Sequence, residues 1–290
     1  MAKGTLDLKR KMKSVANTKK VTKAMEMVSG AKMRKATVSV LSKRPYSHAA
    51  WQVLNSLPVI SHPFFEVRNE GTTALIVISS NRGLCGSFNN NVAQQALRTV
   101  KANSDVDVYT FGKKARETLS SAGVAIAGDF EKFDITRSIE DIIALAYVVL
   151  QGFLEKKYNR VEMVYTDFIS PLKQVVRSIP LLPFVRDIDT NLGEVGEATS
   201  ERSSSRDIVF EPSVSDVLDH IIPRIIETKV FQAVLESEAS EHSARMLAMK
   251  NASEAATDLM YALNRSYNQA RQAAITQEIA EISAGRAALE

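Results

Sequence analysis

From Arg224 to Ala284 the chain runs for 61 residues without a glycine or a proline. Those residues are rich in Ala, Glu, Gln, Met and Leu, which all favour helix. At 1.5 Å per residue such a helix is about 90 Å long. A compact chain of this size has a radius of gyration of only about 19 Å. The helix cannot be enclosed by its own globule and is expected to protrude. Pro212 and Pro223 bracket its start, the second inside the first turns. Gly285 is expected to end it. Along it Met249, Ala252, Ala256, Leu259, Leu263, Ser266, Ala270 and Ala273 alternate spacings of three and four. That is the seam of a coiled coil, with small side chains and one serine.

The N-terminal segment reads as its partner. Between Thr5 and Arg44 only Gly30 interrupts a helical composition. Leu8, Met12, Val15, Val21, Met25 and Val28 fall near one face. Pro45 is expected to kink or break this helix, which resumes through Trp51, Val53, Leu54 and Leu57 until Pro58. Two overlong helices at the two ends of one chain suggest an antiparallel pair. With equal rise, Met25 then lies beside Met246, and residues whose numbers sum to about 271 are neighbours.

Residues 72–211 alternate strand and helix patterns, with strands at 72–80, 106–112, 123–128 and 160–168 and helices at 87–100, 113–123 and 138–158. A further extended run occupies 174–184. This alternation implies a mostly parallel sheet covered on both faces, a Rossmann-like α/β domain. The polar, Gly/Ser-rich stretch 187–207 reads as a loop. The expected organisation is a helix over 1–57, an α/β domain over 58–212 and a second long helix over 213–290.

Charge is unevenly placed. Residues 1–44 hold 13 Lys/Arg against Asp7 and Glu26, whereas the remainder holds 24 bases and 31 acids. A basic arm on an acidic body calls for an anionic partner: nucleic acid, anionic lipid or acidic protein loops. A solvated lysine-rich face is the plainer reading. Nucleic acid is disfavoured, because the arm has no aromatic residue to stack on bases. One cysteine, Cys85, excludes a disulfide framework. No apolar run approaches the length of a membrane span, and the Lys-rich start lacks a secretory signal's apolar block, so it reads as mature protein.

No catalytic constellation emerges. The loop SSNRGLCGSFN at 79–89 joins a strand to a helix, yet it matches neither GxGxxG nor a P-loop. Its glycines read as tight packing around Gly83 and Gly86. Cys85 has no histidine nearby in sequence and reads as a small packed residue. His48, His62, His220 and His242 show no metal-ligand spacing. Glu140 with Asp141, and Glu236 with Glu238, read as surface pairs rather than an acid/base dyad. No cofactor is expected.

Three segments resemble the gamma subunit of the rotary F-type ATP synthase: NTKKVTKAMEMVSGAKMRKA at 17–36, SSNRGLCGSFN at 79–89, and SEHSARMLAMKNASEAATDLM with LNRSYNQARQAAITQEIAEI over 240–282. They occur in family order and span nearly the whole chain. The resemblance implies a non-catalytic central rotor shaft inside a ring of three alpha and three beta subunits. Its α/β domain would meet the epsilon subunit and the ring of membrane c subunits, with proton or sodium flow turning the shaft. The chain would then be peripheral, held by the complex at the cytoplasmic face of a bacterial cell membrane. Met25 matches the coupling methionine, beside the basic arm's Lys19, Lys20 and Lys23, and Arg245 matches the arginine of the neighbouring helix. Gln272, Thr276 and Glu278 match polar positions that contact the catalytic ring. Asn81 stands where the family commonly has Asp, and Ser87 where it has Gly. The alternative is a nucleotide-binding α/β enzyme dimerised through its terminal helices, or a coiled-coil adaptor with no rotary role.

Overall fold

The computed structural model describes residues 3–56, 62–68, 70–103, 105–132, 138–184 and 214–287. Helix α1 spans Lys3–Ser56 and helix α5 spans Val214–Ala287. Between them lie β1 (Thr72–Ile78), α2 (Phe88–Ala102), β2 (Val106–Phe111), α3 (Lys113–Ser121), β3 (Ile126–Phe130), α4 (Glu140–Leu154), β4 (Tyr158–Ser170) and β5 (Lys173–Leu182). The expected boundaries near 57 and 212, and the stretch 187–207, lie outside the described residues. The chain forms two compact units: Met1–Ser29 with Met246–Glu290, and Gly30–Arg245. Helices α1 and α5 each contribute to both.

In the α/β unit the strand order is β3-β2-β1-β4-β5. The first four strands are parallel, and β5 returns antiparallel to β4. Ala74, Ile76 and Ile78 of β1 pack with α4 and α5, while Leu75 and Val77 pack with α2 and α3. Both faces of the sheet are therefore covered, which explains why β1 is an unbroken apolar run rather than an alternating one. On α2 the buried face is Phe88, Val92, Ala93, Ala96 and Thr99, at helical spacing. Glu140 and Asp141 sit in the first turn of α4, where negative charge suits the helix dipole.

Two expected breaks of the long helices do not occur: α1 continues through Pro45, and α5 passes Gly285 to reach Ala287. Helix α5 begins at Val214, so Pro223 lies inside it as expected. An internal proline costs roughly 3 kcal/mol. Around Pro223 the side chains of Leu218, Ile222, Ile225 and Ile226 are all buried, and each such burial stabilises by roughly 1.5–3 kcal/mol. Packing outweighs the local penalty.

From Thr228 to Ser243 every residue of α5 is buried. One side of this stretch meets the sheet, and the other meets Ala36 and Val40 of α1 within the same core. This corrects the reading of Glu236 and Glu238 as a surface pair: they are 0% and 2% exposed. A charged pair looks like surface only when a helix has a free side, and here it has none. Glu236 accepts a hydrogen bond from Gln232 at 2.9 Å, and Glu238 lies beside Lys32 and Lys35. The two helices run antiparallel in this unit. Lys32 faces His242 and Tyr46 faces Arg224, both within one turn of the equal-rise expectation. In the helical unit Met260 instead shares a groove with residues Ala16 to Met27 rather than with Lys11, so equal rise does not carry the register to the end of the pair.

The turn from β2 into α3 depends on Gly112. Its φ is +111°, and a Cβ there would stand 2.5 Å from the Ser79 carbonyl oxygen. We expect Gly112→Ala to cost at least about 2 kcal/mol, since it combines a strained φ with a backbone clash. Urea unfolding of the full chain reads this directly, and an unchanged midpoint contradicts it.

Candidate functional site

In the helical unit a heptad seam is visible on both segments. On α1 the shielded positions are Thr5, Leu8, Met12, Val15, Lys19, Thr22, Glu26 and Ser29. On α5 they are Met249, Ser253, Ala256, Met260, Leu263, Tyr267, Ala270 and Ala274. The expected seam shares Met249, Ala256, Leu263 and Ala270 with this set. Its other members differ: Ala252 is half-buried, whereas Leu259 is 49% exposed and Ser266 and Ala273 are exposed. A three–four and a four–three reading share every second position, so spacing alone cannot choose between them. Met260 and Tyr267 take the places given to Leu259 and Ser266. On α1, Val21 and Val28 point outward for the same reason.

The basic arm has a shaped face. Lys19, Lys20 and Lys23 line a groove of about 560 Å³ whose apolar lining is Ala16, Ala24, Met27 and Met260. Lys23 also pairs with Glu26 at 3.0 Å. Met25 is half-buried beside this groove in sequence but does not line it. Met27, 62% exposed, and Met260 were not singled out by sequence. Their signal was available: Met27 follows Lys20 and Lys23 at helical spacing. Farther along α5, Gln272, Thr276 and Glu278 are exposed. They sit among Ile275, Ile279 and Ile282, which are 47%, 59% and 73% exposed. Apolar side chains exposed in such a run make this stretch a candidate interaction surface.

Arg245 is placed elsewhere, in the α/β unit, and is 8% exposed. Its guanidinium pairs with Glu241 at 2.9 Å and donates to the carbonyls of Arg82 at 3.2 Å and Gly83 at 3.3 Å. Glu241 in turn holds the Lys132 ammonium at 2.7 Å. Burial pushes the Glu241 carboxyl up, but the Lys132 and Arg245 cations overcome it and hold its pKa below the ordinary value. Burial takes the neighbouring His242 ring down to about 4, against the pull of Glu241 and with help from Lys132, Arg245 and Lys32. His242 is therefore neutral at pH 7, and its Nδ1 faces the Arg245 guanidinium at 3.4 Å.

The loop 79–89 is built for shape. Asn89 accepts from the Ser80 N–H at 3.1 Å and donates to the Cys85 sulfur at 3.2 Å. Cys85 is 1% exposed, and burial raises its pKa, so it packs as an unreactive thiol. The tight-packing reading of the glycines is corrected: a Cβ on Gly83 or Gly86 would meet nothing within 4 Å. Gly86 is needed for its φ of +59° instead.

The place where a nucleotide would bind is filled. Strand order reverses between β1 and β4, and ligands of open α/β sheets bind at such a point, outside the carboxyl ends of the strands. Here α5 occupies that crevice. Ser240 donates to the Thr166 carbonyl at 3.4 Å, Ser243 to the Pro171 carbonyl at 2.5 Å, and Arg245 to the loop after β1. No described helix is long and apolar enough to cross a membrane.

A family model described as ATP synthase matches residues 5–289. The ATP synthase gamma chain of Chloroflexus aurantiacus is 40% identical over 295 residues, covering 98% of each chain. The chain belongs to the ATP synthase gamma chain family. Two solved structures of the Euglena gracilis mitochondrial ATP synthase share its fold. One is titled as the rotor, with a TM-score of 0.65 at 20% identity over 94% of this chain and 99% of that one. The other is titled OSCP/F1/c-ring, with a TM-score of 0.72 at 22% identity over 99% of this chain and 94% of that one.

Asn81 ties two connections of the α/β unit together. Its Nδ2 donates to the Lys132 carbonyl at 2.5 Å while its Oδ1 accepts from the Lys113 N–H at 3.2 Å. An aspartate keeps the second bond and loses the first. The His242 geometry sets a pH dependence. The unfolded ring titrates near 6.5 and the folded ring near 4, so the unfolded state binds more protons between those values. Stability contributed by the neutral ring is complete above 6.5 and is lost as pH falls through 4, by about 3 kcal/mol. His242→Gln should flatten that part of the profile in urea unfolding at pH 7, 5 and 4. Parallel profiles for the two chains would contradict it.

Proposed function

We infer that the chain is the central rotor-stalk subunit of a proton- or sodium-translocating ATP synthase. It carries no catalytic residue of its own and couples rotation of the c ring to the conformational cycle of the beta-subunit sites. The observation that carries this reading is the helical unit itself. It pairs two long segments along a seam, yet leaves Ile275, Ile279 and Ile282 exposed beyond it. A ring of three alpha and three beta subunits gives those side chains a cover. The small residues around them, Ala273 and Ala274 among others, suit a surface that must slip rather than interlock. Gln272, Thr276 and Glu278 lie on the same turns and are assigned to contacts with that ring.

The lysine-rimmed groove supports the second half of the reading. Lys19, Lys20 and Lys23 around an apolar floor fit acidic loops of the beta subunits, with Met25 near the contact. Exposed charge contacts of this kind are individually worth little and are screened by salt, which lets them exchange as the shaft turns. The epsilon subunit and the c ring are assigned to the α/β unit. The protein would then lie at the cytoplasmic face of the bacterial membrane, held there by the complex. The enzyme alternative is not favoured, because the crevice it needs is filled by Ser240–Arg245 of α5.

Co-expression with alpha and beta subunits tests this. The chain should purify with three of each, and the isolated chain should show no ATP hydrolysis. Replacing Lys19, Lys20 and Lys23 together with Glu should weaken ion pumping in inverted membrane vesicles while changing stability by no more than about 0.5 kcal/mol per site. Full pumping by the triple variant contradicts the assignment of the groove.

A further inference from the structure

The contacts that attach α5 to the sheet change in kind along its length. From Leu218 to Ala239 they are mainly apolar: Ile222, Ile225, Ile226, Val230, Ala233 and Val234 enter the common core, with Lys229 set over the Phe184 ring. Such contacts resist separation but are non-directional. In the six residues from Ser240 to Arg245 they become polar and directional. Ser240 and Ser243 donate to β4 and to the turn after it. Gln174 of β5 donates to Ser243 at 3.3 Å. Glu241 holds Lys132, which follows β3, and Arg245 holds the loop after β1. Asn81 closes the circuit by binding the Lys132 carbonyl. Three separate connections, after β1, β3 and β4, thus grip six residues of helix, fewer than two turns. That stretch ends at Arg245, the last residue of the α/β unit before α5 passes into the helical unit.

The charges are arranged to be held, not merely tolerated. Lys132, Glu241 and Arg245 are 4%, 7% and 8% exposed. A buried ion triad is weak evidence for stability, since apolar replacement of all members is often neutral or stabilising. Each charge nonetheless has one place where it is compensated, so a displaced helix would leave a charge unpaired. A shaft joined to its base by apolar packing alone could turn or slide under load, and directional ties resist both.

We propose that Lys132 and Glu241, with Arg245, lock α5 against rotation and slip on the α/β unit, so that they are positioning residues for the transmission of torque. The proposal rests on the rotor reading above. Of the three, neither the sequence nor the family resemblance singles out Lys132 or Glu241.

The test uses the complete enzyme in sealed vesicles. It compares wild type, Lys132→Arg, and a triple variant carrying Lys132→Met, Glu241→Gln and Arg245→Met. The triple variant strands no buried charge. We expect it to assemble and melt within a few degrees of wild type. Ions pumped per ATP hydrolysed against an opposing gradient should fall at least about threefold. Lys132→Arg, which retains the charge, should pump like wild type. If the triple variant does not assemble, Lys132→Met alone, which leaves Glu241 paired with Arg245, should show the same loss in smaller measure. Full pumping against the gradient by the assembled variants overturns the proposal while leaving the rotor reading intact. A wild-type complex that hydrolyses ATP without pumping overturns that reading, and the proposal with it.

Discussion

The rest of the structure depends on the burial of α5 from Thr228 to Ser243 between the sheet and α1. That single stretch completes the core on one face of the sheet and anchors the C-terminal helix. It also fills the crevice at the carboxyl ends of β1 and β4. A helix with no free side is usually apolar all round. This one carries Glu236, Glu238, Glu241 and His242, and the burial of those groups is sustained by partners: Gln232, Lys132 and Arg245 among them.

The same constraint explains why a doubly wound topology here does not imply nucleotide chemistry. The sheet has the reversal of strand order at which ligands ordinarily bind. The chain uses that position for its own helix. The Arg82 and Gly83 carbonyls of the loop after β1 accept from Arg245, and the loop's cysteine is buried. Fold and function separate at this point, as they do in general.

Much of this was legible in the sequence, and the failures have a common cause. The long helices followed from the absence of glycine and proline, and the α/β order followed from alternating patterns. Helix breaks were misjudged at Pro45 and Gly285, which the helices pass through. The seam on α5 was half right, since Met260 and Tyr267 compete with Leu259 and Ser266 for the same heptad role. Glu236 and Glu238 were misread because charge was equated with surface. Arg245 was found through the family resemblance, but its hold on Arg82 and Gly83 spans more than 160 residues and leaves no periodic trace. Lys132 gave no signal at all: beside Glu131 it looks like any solvated pair.

Hydrogen exchange along α5 tests the central claim most directly. Amides from Thr228 to Arg245 should be the slowest to exchange in the isolated chain, because this stretch is enclosed and tied on several sides. Those beyond Tyr267 should exchange fast in the isolated chain and become protected once alpha and beta subunits are added. Uniform protection along the whole of α5, or no change in its last turns on assembly, would contradict the account.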